Sequence, residues 1–316
     1  MTLGRIDTHT HVLPPPYRQW LASRPGYAGP HFEWSPAGAK EAFEAKDVRT
    51  GILSVSSPGV RWPGDNDAEA RRLARAVNEY CAEVVREDPD HFGFFATLVL
   101  PDVTGSIVEA TYALEELGAD GVVLLANSQG DYLGAAEHDP LLEYLNERDC
   151  VVFVHPTNLP GPGVPGISPG IVDFLADTSR AAVNLLKRDC LIRYPAIRWL
   201  LSHGGGYLPY AANRIASTVA TTDAGEDAVL TQMRRFYFDT ALTGGPFALP
   251  SLLAFADPAH LTFGTDWPYE YRPGQSARFT DRLDAYPLPG HDRQALNRGN
   301  AEILFPRLRS QEGRTP

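Results

Sequence analysis

Nine histidines occur in the 316 residues, and four of them stand where short apolar runs end. His9 and His11 close GRIDTHTH, His155 ends VVFVH, His203 ends WLLSH, and Asp266 ends LTFGTD. Imidazole nitrogen and carboxylate oxygen suit zinc, and iron or manganese also fit such a donor set. Four protein ligands or fewer leave a position open for water or a substrate, and a bound zinc ion lowers the pKa of its water to about 7. Each residue also has a plainer reading. An HxH pair near a terminus is weak by itself, a histidine at the end of a strand is often a hydrogen-bonded core residue, and Asp266 could cap a helix ahead of Trp267-Pro268. Five such residues at the ends of four strands are harder to explain as five separate structural roles, and the metal reading rests on that conjunction.

The elements that must position these residues alternate along the chain. Strands are expected at Gly4 to His9, Ile52 to Ser56, Phe92 to Leu98, Gly121 to Leu125, Val151 to His155, Ile197 to Ser202, Phe236 to Asp239 and Leu261 to Thr265. Segments of helical period follow, the clearest from Asp67 to Glu87, where Leu73, Ala76, Val77, Tyr80, Cys81, Val84 and Val85 form one apolar face. Others are expected near Gly105 to Leu117, Pro140 to Arg148, Ile171 to Leu191, Leu208 to Val219, Phe247 to Phe255 and Asp292 to Phe305. Continuously apolar strands between helices imply a parallel sheet covered on both faces. Eight such units point to an α/β fold, a (β/α)₈ TIM barrel forming one domain over residues 1–316, with a doubly wound open sheet as the alternative. In a parallel barrel all strands point one way, so the five residues converge at the C-terminal face. Residues two apart on a strand share a face, which turns His9 and His11 together toward the axis.

A Pro- and aromatic-rich insertion, about residues 14–47, follows strand one and carries Tyr17, Trp20, Tyr27, Phe32 and Trp34. It reads as an ordered excursion over the barrel mouth, and the Pro/Gly tract from Pro160 to Gly170 reads as a second long loop. The formal net charge of −11 argues against nucleic acid, which calls for a basic stripe, and gives no reason to expect an anionic membrane surface. No run of apolar residues is long enough to span a bilayer. Cys81, Cys150 and Cys190 are odd in number and far apart, poor material for a disulfide framework; they read as buried hydrophobes in a protein of the reducing cytoplasm. His31, His91, His138, His260 and His291 read as solvated, with His31 able to reach the mouth.

Together IDTHTH, VFVHP, LSHGGG and FGTDWPY, with the terminal GNAEILF, resemble the amidohydrolase superfamily. More narrowly they resemble its branch of aminocarboxymuconate-semialdehyde, salicylate-type and resorcylate decarboxylases. The resemblance covers the whole barrel. It implies that His9, His11, His155 and Asp266 bind the metal and that His203 is the catalytic histidine beside it. The superfamily's lysine after strand four has no counterpart in VVLLANSQG, which implies a single ion, zinc first and manganese second. The resemblance further implies a homodimer in which Arg214, eleven residues beyond His203, holds a substrate carboxylate across the interface; a solvated helix face is the other reading of Arg214. A second arginine expected near Thr222 is absent, which counts against a substrate with two carboxylates.

The expected activity is metal-dependent, non-oxidative decarboxylation of a hydroxylated aromatic acid such as 6-methylsalicylate, or of a related muconate-type acid. The ortho-hydroxyl and carboxylate would chelate the metal. Asp266 or the metal-bound water, relayed by His203, would protonate the carbon that bears the carboxylate. The alternative keeps the site and changes the reaction, to hydrolysis of a lactone or amide or hydration of a muconate-like double bond.

Overall fold

Strands without a polar face persist only where both faces are covered, and the chain satisfies this by rolling its sheet into a tube. The computed structural model describes residues 4–27, 29, 32–220, 225–269 and 274–309. Its main sheet pairs eight parallel strands in chain order: β1 (Arg5–His11), β2 (Val48–Ser54), β3 (Phe92–Thr97), β4 (Gly121–Leu125), β5 (Val151–His155), β6 (Arg198–Leu201), β7 (Tyr237–Asp239) and β8 (Leu261–Thr262). The first and last meet. Thr8 N–H donates to Phe263 O at 2.9 Å, Asp266 N–H to His9 O at 2.8 Å, and His11 N–H to Trp267 O at 2.7 Å. Parallel bridges join Asp7 to Phe263 and Thr10 to Trp267. This closure makes a (β/α)₈ barrel and removes the open-sheet alternative.

Boundaries shift where the site makes demands. β1 continues through His11, two residues beyond its expected end, because the segment after β8 supplies its backbone partners. β8 is only two residues long, and the chain then leaves the ladder so that Asp266 adopts φ +68°. The helix Asp67–Glu87 keeps its expected bounds, fixed at the start by a capping box between Asn66 and Glu69. The long helix expected at Ile171 to Leu191 is instead a short turn, Pro169–Ile171, the helix Asp173–Lys187 and the turn Cys190–Arg193. It breaks where Asp189 takes φ +53°. A small hairpin, Asn127–Ser128 with Asp131–Tyr132, and helices Gly225–Met233 and Gln275–Ala285 appear without a sequence expectation.

The excursion after β1 holds two helices, Pro15–Ala22 and Pro36–Glu44. Each begins on proline, tolerated there because a first-turn N–H has no helical acceptor. Ser35 caps the second by accepting from Gly38 N–H at 3.1 Å. Tyr17, Leu21, Trp34 and Phe43 are buried and tie the excursion to the barrel.

Inside the tube the lower layers are apolar. Ile6, Ile52, Phe95, Val123, Val151, Phe153 and Leu200 pack against Ala301, Leu304, Phe305 and Leu308 of the C-terminal segment, which plugs the N-terminal end of the barrel. Phe95 lies between Phe153 (ring centroids 5.3 Å) and Phe305 (5.8 Å). Asn300 holds the plug by donating to Leu261 O at 2.7 Å and Pro258 O at 2.8 Å. Phe305→Ala is expected to cost about 3–5 kcal/mol, the usual price of deleting a buried ring. Urea unfolding followed by tryptophan fluorescence measures it, and a loss below about 1 kcal/mol would remove the plug from the core.

Candidate metal centre

Above the apolar layers the barrel turns polar, and the change occurs at the strand ends. Every residue of RIDTHTH is buried. His9 and His11 bring their Nε2 atoms to 3.2 Å. Asp266 Oδ1 lies 3.0 Å from His11 Nε2 and 3.4 Å from His9 Nε2. His155, at the end of β5, has its ring 4.8 Å from that of His11 and 5.4 Å from that of His9. One ligand atom each from His9, His11, His155 and Asp266 lies within 4.8 Å of the others, and all four residues are buried.

The rings are aimed from behind. His9 Nδ1 is 2.7 Å from Asp239 Oδ2, His11 Nδ1 is 3.2 Å from Ser54 O, and His155 Nδ1 is 2.8 Å from Pro156 O. These partners are acceptors, so each Nδ1 is assigned a proton and each Nε2 is turned toward the cluster, the arrangement that orients imidazole metal ligands. Burial, reinforced by the neighbouring imidazoles, holds His155 well below the usual histidine range, and burial also lowers His11. Burial works against an ionised Asp266, but hydrogen bonds from His11, His203 and His9 outweigh it and hold the carboxyl well below its usual range. At His9 burial is outweighed by Asp239 and then Asp266, and the imidazole is lifted to about 10. Two neutral imidazoles, an ionised carboxylate and a third imidazole beside two carboxylates make a pocket that favours positive charge. That donor set fits a divalent metal ion.

His203 stands apart from this group. Its Nε2 lies 3.3 Å from the second oxygen of Asp266, Oδ2, and its ring is 4.8 Å from that of His9. Its backbone is left-handed, φ +52°, and its N–H donates to Asp239 Oδ1 at 3.0 Å. The glycines of HGGG follow from this turn. A Cβ at Gly206, which has φ +64°, would sit 2.1 Å from Leu175 O. Gly264, just after β8, makes room for His9, since a Cβ there would meet His9 Cβ at 2.9 Å.

Two buried carboxylates escaped the sequence reading. Asp239, the last residue of β7, accepts from His9 Nδ1–H, His203 N–H and, at 2.9 Å, Ala241 N–H. Asp7 accepts from Thr265 Oγ1–H at 2.6 Å, His9 N–H at 3.0 Å and Thr265 N–H at 3.1 Å; burial pushes its carboxyl up to about 7 against these bonds. The available signal was an aspartate within an otherwise apolar strand, since such groups are buried only when paired.

Arg214 is exposed on the helix Leu208–Val219, and its side chain has no hydrogen bond or ion pair among the described residues. His138 corrects the expectation of solvation. It is buried at the start of the helix Asp139–Asn146, and burial lowers its imidazole. His91 pairs with Asp88, His260 lies against Tyr237, and His291 is exposed; His31 and Thr222 fall outside the described residues. The three cysteines are free and buried.

Aromatic side chains surround the centre. Phe153 forms its floor, ring to ring 4.9 Å from His9, and Tyr269 meets His11 at 5.1 Å. Farther out Tyr17 stacks on Trp20 at 5.7 Å, and Trp20 meets Trp62 at 6.5 Å.

A parallel barrel with two β1 histidines, one histidine after β5, another after β6 and an aspartate after β8 defines a class, and residues 6–307 match the amidohydrolase family model. The chain belongs to the amidohydrolase family. It is 36% identical over 332 residues to the decarboxylase macB of Penicillium terrestre, covering 99% of this chain and 98% of that one. It is 35% identical over 331 residues to 6-methylsalicylic acid decarboxylase of Penicillium expansum, covering 97% and 98%. In fold it is similar to the crystal structure of dihydroxybenzoic acid decarboxylase from Polaromonas sp. with bound manganese and the inhibitor 2-nitroresorcinol. That likeness has a TM-score of 0.80 at 22% identity and covers 99% of each chain. Among the described residues no helix is long and apolar enough to cross a membrane.

Proposed function

We propose that this chain is a metal-dependent, non-oxidative decarboxylase of a hydroxylated aromatic acid, with 6-methylsalicylate as the leading substrate. The observation that carries the reading is the double use of Asp266: one oxygen joins the ligand cluster and the other faces His203. The activity of the Penicillium expansum relative supports the substrate class. His9, His11, His155 and Asp266 would hold one divalent ion. Zinc is the first choice from the three imidazoles, and the manganese in the Polaromonas relative supports the second. Such an ion, when bound, supplies the Lewis-acid charge that polarises a substrate's oxygens.

The remaining steps belong to the chain's own groups. His203 Nε2 shares a proton with Asp266 Oδ2, and this pair delivers it to the ring carbon that carries the carboxylate. The bond from that carbon to the carboxylate then breaks, and its electron pair returns to the ring. One proton enters and one carbon dioxide leaves, with no oxidant and no organic cofactor. Phe153 below and the aromatic cover above exclude water, which strengthens every charge interaction inside. Arg214 lies one helical turn from Tyr210, which is 86% exposed, and Phe247 beyond β7 is 96% exposed. We assign this face to a homodimer contact through which Arg214 reaches the partner's substrate. Three free cysteines support residence in the reducing cytoplasm.

Protein loaded with zinc or manganese is expected to release carbon dioxide from 6-methylsalicylate or another ortho-hydroxybenzoate. Chelation should abolish the activity and metal should restore it. Hydrolysis of a lactone or amide, or hydration of a muconate-like acid, with no carbon dioxide from any hydroxybenzoate, would assign the alternative reaction.

A further inference from the structure

We propose that the Tyr269 hydroxyl is a substrate contact that donates a hydrogen bond to the carboxylate of the bound acid. The inference rests on the decarboxylase reading above and assigns a residue that decides which acids bind. Tyr269 follows Asp266 by three residues, and its N–H donates to Asp266 O at 2.9 Å, closing the turn that carries the aspartate. Its ring meets the ring of His11 edge-on at 5.1 Å, and Phe32 of the excursion covers it at 5.4 Å.

The hydroxyl is buried and has no hydrogen-bond partner among the described residues. Its buried neighbour in the same aromatic cover behaves differently: Tyr17 O–H donates to Ser56 O at 3.4 Å. A phenol buried without an acceptor is costly, and such groups call for an explanation. A donor beside the ligand cluster, without an acceptor among the described residues, suits a substrate that brings one. The strongest acceptor on a hydroxybenzoate is its carboxylate, since charged acceptors make the stronger hydrogen bonds.

The kinetic signature differs from that of a structural tyrosine. The carboxylate loses its charge as it becomes carbon dioxide, so a bond to it is strongest in the ground state. Removing such a bond weakens binding without slowing the chemical step. Tyr269→Phe is therefore expected to raise the Kd and KM for 6-methylsalicylate about 10- to 100-fold, the loss of one hydrogen bond to a charged group. kcat should stay level or rise. Inhibition by 3-methylphenol, the same ring without the carboxylate, should change less than about twofold, and the thermal midpoint of the free protein should not fall. Equal losses for acid and phenol, an unchanged Kd for the acid, or a fall in kcat at constant KM would each overturn the assignment. Calorimetric binding needs no turnover, so the two ideas fail separately. Failure of the decarboxylase reading shows as no carbon dioxide from the wild type, and failure of this inference shows as equal binding of the acid by wild type and Y269F.

Discussion

Asp266→Asn is expected to lower decarboxylation by at least about three orders of magnitude while the barrel still folds. The substitution preserves shape and removes charge. Asp266 Oδ1 lies among the imidazole nitrogens of His9 and His11, and Oδ2 faces His203. An amide would present either N–H groups where lone pairs converge or a weaker oxygen ligand, and it could not exchange a proton with His203. Both the ligand set and the proton route would therefore fail together. His203→Gln separates the two roles, because His203 lies outside the four-residue ligand group. It should keep its metal and still lose about 10²- to 10⁴-fold in turnover, the usual worth of a positioned acid or base. Metal content by elemental analysis, with carbon dioxide release in a single turnover, reads both quantities. More than about a tenth of wild-type turnover in either variant would end the assigned proton route.

The second large effect is expected at a residue outside the ligand set. Asp239→Asn should weaken metal binding about 10- to 100-fold, as measured by competition with a chromogenic chelator. Asp239 Oδ2 fixes the His9 ring through Nδ1, and Oδ1 takes the N–H groups of His203 and Ala241. An amide can satisfy only part of this. If its oxygen keeps His203 N–H, its NH₂ group points at His9 Nδ1 and drives the imidazole toward the other tautomer, placing the proton on the nitrogen that should bind metal. The carboxylate is fully buried and accepts three donors, so stability should fall as well, by about 1–3 kcal/mol for each donor left unpaired. Unchanged chelator competition in D239N would show that His9 is positioned by packing alone.

The five residues legible in the sequence share one property. His9, His11, His155, His203 and Asp266 each end an apolar run, where a polar side chain stands out against the strand that carries it. Asp239 also ends such a run, but its strand is three residues long and the partner that explains it, His9, lies 230 positions away. Asp7 was hidden for a related reason: its partner Thr265 is 258 positions distant. The excursion's helices were obscured by proline, which signals a break inside a helix and a start at its first turn. β8 is shorter than its sequence suggests because Phe263 and Thr265 favour a strand while the backbone N–H groups of Gly264 and Thr265 are directed to the side chains of Thr240 and Asp7. His138 was misjudged because a helix-start position says nothing of what packs over it.

The seam between β1 and β8 also orders events in time. His11 and Asp266 are 255 positions apart, and the plug that fills the tube comes later still. At a synthesis rate of about 5–20 residues per second, the edge of β1 waits on the order of tens of seconds for its last partner. Throughout that interval the growing sheet presents an open, apolar, hydrogen-bonding margin of the kind that recruits stray strands. Asp266 joins His9 and His11 only when this seam closes, so the complete four-residue donor group forms late, after most of the barrel has been made.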